Sequence, residues 1–190
     1  MAEENIEGQQ PKQDRLDRRP EISTLDPNRA TINIQQMREL AEKFAHRVFG
    51  NPEMAQKVRA SGLIIRFLYY DELWGDNEVW ITINCKEDPV EIIVDACEME
   101  PDVAMKMHAD LAHRFWMQKL NLTMAVARGW VIVKGALPKL MRLIPFIKPG
   151  YPLYKETLAE MGFFHLLNYP GGEAPRADAA QATEDKSENS

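Results

Sequence analysis

Between residues 63 and 107 the apolar side chains gather into four short runs separated by polar turns, a pattern that calls for a β-sheet. Residues 63–70 are β-branched and aromatic, interrupted only by Arg66, as in a mostly buried strand. Residues 79–84 alternate, with Val79, Ile81 and Ile83 on one face and Trp80, Thr82 and Asn84 on the other. Val90, Ile92 and Val94 share a face in the next run, as do Val103, Met105 and Met107 in the fourth. Residues 71–77 read as a hairpin connection. Four such strands on short turns predict an antiparallel meander with one wet face. A fifth run, residues 130–134, closes at Gly135.

Around this sheet the period lengthens. Ile34, Met37, Leu40, Ala41, Phe44, Ala45 and Val48 recur at helical spacing, and Asn33 is a good cap for a helix running to Phe49. Gly50, Asn51 and Pro52 end it and start a short helix through Met54 and Val58, stopped near Gly62. Asp110 reads as the cap of a helix reaching about Lys119, with a further helical piece to Ala127 and Gly129 as its left-handed end. Residues 137–164 are helical in character, broken by Pro145, Pro149 and Pro152. Residues 1–31 and 168–190 are polar or poor in apolar period and are expected to be disordered tails around one domain, residues 32–167.

Composition narrows the class. Hydrophobic residues make up 45% of the 190, enough for a substantial core. No apolar run approaches the roughly 20 residues of a membrane span, and the acidic start lacks a signal-peptide profile, so a cytoplasmic location is expected. Cys85 and Cys97 read as small core residues of a reducing compartment. The net charge of −6 hides an asymmetry: residues 101–150 hold eight Lys/Arg against two Asp/Glu, a net +6, which leaves −12 for the rest. Acidic flanks and the lack of a long basic stripe exclude general nucleic-acid binding. The local excess suits an anionic headgroup, a coenzyme A phosphate or a membrane surface.

No catalytic constellation assembles in the sequence. His108, Asp110 and His113 span a strand end and a helix, without the same-face spacing of a helical metal site. Ser23, Ser187 and Ser190 lie in the tails, and Ser61 lacks a nucleophile-elbow setting. Cys85 and Cys97 sit among acidic and β-branched neighbours rather than beside a base. No glycine-rich phosphate loop occurs. Neither an enzyme nor a cofactor is expected.

Asp102, Met105, Met107, Asp110, Lys119, Asn121, Ala125, Gly129, Gly135, Leu140 and Leu143 fall in an order that resembles the sterol carrier protein type-two family. One position departs: Gln118 stands where that family usually places glycine before the lysine, which alters the turn between two helices. The resemblance implies an α+β (α/β) domain whose five-stranded, largely antiparallel sheet carries helices on one face and encloses an apolar tunnel. It also implies non-covalent binding of a sterol, fatty acid or fatty acyl-CoA. Alternation and amphipathic cover then assign Met105, Met107, Val131 and Val133 to the cavity wall, with Phe115, Leu140, Met141 and Ile144 from the helices. Lys139, Arg142 and Lys148 are the expected contacts with a headgroup or an anionic membrane. The alternative reading is an accessory subunit that presents a hydrophobic or CoA-linked substrate to a partner enzyme.

Overall fold

The computed structural model describes residues 15–20, 22, 25–26, 29–95 and 97–169. Two helices come first, α1 (Ile34–Phe49) and α2 (Pro52–Arg59), then β1 (Ile64–Tyr70), β2 (Glu78–Asn84), β3 (Glu91–Val94) and β4 (Val103–His108). The chain continues through α3 (Ala109–Trp116), α4 (Leu122–Ala127) and β5 (Val131–Gly135), and ends in α5 (Leu137–Met141), α6 (Ile144–Ile147), α7 (Gly150–Glu160) and α8 (Phe164–Leu167). Local chemistry accounts for the starts. Asn33 and Gln36 form a reciprocal capping box on α1, at 2.8 and 2.9 Å. Asn51 caps α2 with Pro52 at its first position, and Asn121 caps α4.

The sheet order is β3-β2-β1-β4-β5, antiparallel except for β1 and β4. The expected four-strand meander is therefore corrected after β3. The chain crosses the outer face of the sheet and lays β4 parallel to β1 instead of beside β3. The reason lies in β1: apolar on both faces apart from Arg66, it takes a partner on each edge and becomes the central strand. Arg66 guides the crossover, giving Nη2 to the carbonyls of Cys97 (3.1 Å) and Met99 (2.6 Å) and Nε to Thr82 Oγ1 (3.0 Å).

Register places Ile65, Phe67 and Tyr69 of β1 in line with Ile83, Ile81 and Val79 of β2 and with Val103, Met105 and Met107 of β4. Met105 and Met107 face Val133 and Val131 of β5. The helices cover this face. The opposite face is not wet as expected: Leu68, Tyr70, Thr82, Ala104, Lys106 and Ile132 are all buried. Residues 15–20, expected as part of a disordered tail, lie across it. Lys106 Nζ donates to the Leu16 carbonyl and pairs with Glu78, both at 2.6 Å, and the Tyr70 hydroxyl donates to the Pro20 carbonyl at 3.0 Å.

Asp110 does not cap α3 but lies in its first turn, because the helix already begins at Ala109. His108, still extended at the end of β4, is the cap, its Nδ1 accepting the Asp110 N–H at 3.0 Å. Pro152 interrupts nothing, since it falls in the first turn of α7, where a missing N–H leaves no bond unmade. At Gly135, φ is +95° and a Cβ would collide with the Asp102 carbonyl, so β5 can close only on glycine.

Candidate functional site

An apolar cavity of about 130 Å³ lies between the helices and the sheet. Its floor is Ile65, Phe67, Tyr69, Ile81, Ile83, Met105 and Met107 from the three middle strands. Phe44, Val48 and Phe49 of α1 and Ala112, Phe115 and Trp116 of α3 form the walls, and Val58 and Leu122 contribute from α2 and α4. Leu140, Leu143, Ile144 and Ile147, from α5, α6 and the link between them, close it. Among the described lining residues, only Tyr69 and Trp116 have a side-chain N–H or O–H group. A cavity of this kind stays dry and accepts apolar matter: an engineered one of about 150 Å³ takes up benzene.

Five of the eight residues assigned to the wall from sequence meet here: Met105, Met107, Phe115, Leu140 and Ile144. Val131, Val133 and Met141 do not line it. Val131 and Val133 share the face of Met105 and Met107, but β5 is the edge strand and packs outside the void. Met141, half-buried, packs against the surrounding core at the end of α5. Phe44, Val48, Phe67, Tyr69, Trp116 and Ile147 were not assigned to the wall. For α1 the signal was present in its helical period, which shows an inward face but not what that face meets.

Lys139, Arg142 and Lys148 are exposed along the outside of α5 and α6, with Phe146 41% exposed beside them. Neither short helix has a side-chain cap, and each carries a proline in its first turn. The break between them falls at Arg142 and Leu143, so Phe146 and Ile147 sit in a helical turn and not at a bend.

A second, smaller pocket of about 50 Å³ adjoins the cavity, sharing Ala41, Phe44, Tyr69, Ala112 and Trp116 as a common wall. Its far end is polar, with Asp71, Asp110, His113 and Tyr154. Burial raises the Asp110 carboxyl above its ordinary range, against the pull of Arg114, His108 and Arg29. Burial drives His113 down to about 4, opposed by the nearby Leu166 carbonyl, so the ring is neutral at pH 7.

Among the described residues, one group of three metal-capable side chains converges: Asp71, Glu72 and His108. Its chemistry is that of an ion-pair cluster. His108 Nδ1 accepts a backbone N–H, which leaves the ring proton on Nε2, aimed at Glu72 (2.9 Å) and Asp71 (3.6 Å). That nitrogen has no lone pair for a metal. Arg29 sits on both carboxylates, at 3.2 and 2.8 Å. Burial would raise Glu72, but its bond to His108, helped by Arg29, holds it below the usual carboxylate range. Cys85, pushed up to about 11 by burial, is a thiol and not a nucleophile at neutral pH.

The arrangement of a β3-β2-β1-β4-β5 sheet with helices over one face has counterparts among solved structures. The sterol carrier protein domain 2 of Helicoverpa armigera superposes with a TM-score of 0.50 at 18% identity, covering 65% of this chain and 95% of that one. The fold is that of the sterol carrier protein type-two domain. A conserved hypothetical protein of Thermus thermophilus, described as a possible sterol carrier protein, also reaches 0.50, at 12% identity, over 63% of this chain and 86% of that one. No sequence-family model matches the chain, and no curated protein matches it significantly. The chain thus shares this fold without a matching sequence-family model or curated relative. Among the described residues no helix is long and apolar enough to cross a membrane.

Proposed function

We propose that this protein binds a hydrophobic ligand of the sterol, fatty-acid or fatty acyl-CoA class, non-covalently, and carries it without chemical change. The observation that supports this most is the cavity itself, walled almost wholly by side chains with nothing to offer but apolar contact. Met105 and Met107 give its floor an adaptable, polarizable surface. α5 and α6 are the route in and out. They are short, uncapped and proline-bearing, close the cavity with four apolar side chains, and carry Lys139, Arg142 and Lys148 outside, facing an anionic headgroup or membrane surface. A lipid carrier in the cytoplasm fits these features. The same cavity serves the accessory-subunit reading, in which a partner enzyme draws the ligand out instead of a membrane.

Displacement of a fluorescent lipid by acyl chains of increasing length tests the reading. Each buried methylene is worth about 0.8 kcal/mol, so affinity should rise about fourfold per carbon and then level off when the cavity is full. Affinity independent of chain length would overturn it.

A further inference from the structure

The small pocket beside the apolar cavity has an end that an apolar ligand leaves unused. Asp110 is 5% exposed, and neither of its carboxyl oxygens accepts a hydrogen bond of good geometry; Arg114 Nη1, its ion-pair partner, stands 3.6 Å from Oδ2. An ionisable group buried without hydrogen bonds is costly. Opposite in chemistry is His113, also buried. Tyr154, kept a phenol by burial, lies 3.0 Å from His113 Nδ1. No other acceptor for its hydroxyl proton occurs among the described contacts, so it donates to Nδ1 and the ring proton resides on Nε2. That N–H lies near the Leu166 carbonyl but outside good hydrogen-bond geometry. The pocket therefore holds an orphan acceptor and an orphan donor. Both lie at the end of a space that shares the walls of Phe44, Tyr69 and Trp116 with the apolar cavity.

From this pairing, and resting on the carrier reading above, we propose that the pocket is a headgroup subsite for a neutral hydroxyl. The ligand is a long-chain alcohol-type lipid that enters hydroxyl first, with its hydrocarbon in the larger cavity. A hydroxyl both donates, to Asp110, and accepts, from His113 Nε2. The other common lipid ends fail on one count each. A carboxylate has no proton to give and meets Asp71 and Asp110. An ammonium has no lone pair for His113, and Arg29 and Arg114 already attend the carboxylates. An ether accepts but does not donate.

The test is a displacement series on the full chain with one hydrocarbon and four ends: 1-decanol, decyl methyl ether, decanoate and decylamine. A hydrogen bond to a charged group contributes about 1.5 kcal/mol or more, so decanol should bind at least about tenfold more tightly than the ether. It should also outrank decanoate and decylamine. Asp110→Asn and His113→Phe should each shrink the alcohol-to-ether ratio. If either variant fails to fold, the series on the unaltered protein still decides. Equal binding of alcohol and ether overturns the hydroxyl subsite; if that shared affinity still rises with chain length, the carrier reading stands without it. A preference for decanoate overturns the subsite in favour of an anionic head. Failure of all four to displace the probe overturns both.

Discussion

Gln118 shows at one residue how a sequence departure is absorbed. After α3 the chain turns through a glycine-type helix end: the Lys119 N–H reaches the Arg114 carbonyl at 2.7 Å and the Gln118 N–H reaches Phe115 at 3.0 Å. Gln118 itself takes φ +62°, the left-handed region that favours glycine, and it is exposed. The same end on α4 uses Gly129, at φ +74°. The turn is therefore kept and Gln118 is strained, because the hydrogen bonds on either side fix the backbone more firmly than one side chain resists it. Gln118→Gly should stabilise the protein by about 1 kcal/mol, read as a higher denaturant midpoint with unchanged slope. A loss of stability would mean that the Gln118 side chain makes an interaction that outweighs its strain.

At the scale of elements, the helices closing the cavity differ in what holds them. α1 has a reciprocal cap and five buried apolar residues, and its outer side is tied to α7 by the Arg47–Glu160 and Lys43–Glu160 pairs. α5 and α6 have five and four residues, each with a proline in its first turn, no side-chain caps, and cations exposed to solvent. The segment least able to stand alone is thus the one that closes the void, which is where a lipid gate belongs. Reversing the charges of Lys139 and Arg142 together should slow ligand transfer from anionic vesicles and leave transfer from neutral vesicles unchanged. Equal slowing from both vesicle types would falsify the electrostatic part of the gate.

On the scale of the whole molecule, the two faces of the sheet have separate duties. One faces the cavity. The other is sealed by residues 15–20, through Lys106 to Leu16, Tyr70 to Pro20, and Arg19 to the Gly75 carbonyl at 2.6 Å, with the Arg19 guanidinium over the Tyr70 ring. Lys106 is 3% exposed there and depends on those partners. Deleting residues 1–20 should lower stability by about 2–5 kcal/mol in chemical denaturation, from four lost hydrogen bonds, counting Arg19 to the Asn77 carbonyl, and a newly wetted apolar face. Affinity for a displaceable lipid should be unaltered, because the cavity lies across the sheet. A parallel fall in lipid affinity would show that the two faces are coupled.

Period and punctuation were enough to read the helices at both ends of the chain and the five strands between them. Ile81 and Ile83, Met105 and Met107, and the inward side of α1 announce themselves by spacing, since burial of one face is a local demand. Where β4 pairs was not local. It followed from β1 being apolar on both sides, and only the assembled sheet shows that the chain crosses to satisfy its second edge. The same limit explains the wall: Met105 and Val133 have equal claims by alternation, yet a cavity reaches one and not the other because β5 lies at the margin. The Asp110 and His113 end of the small pocket was legible only as a failed metal cluster. Asp110 and His113 lie one turn apart on α3, but that this turn faces a pocket, with Tyr154 of α7 against His113, is set by tertiary contacts among residues distant in sequence.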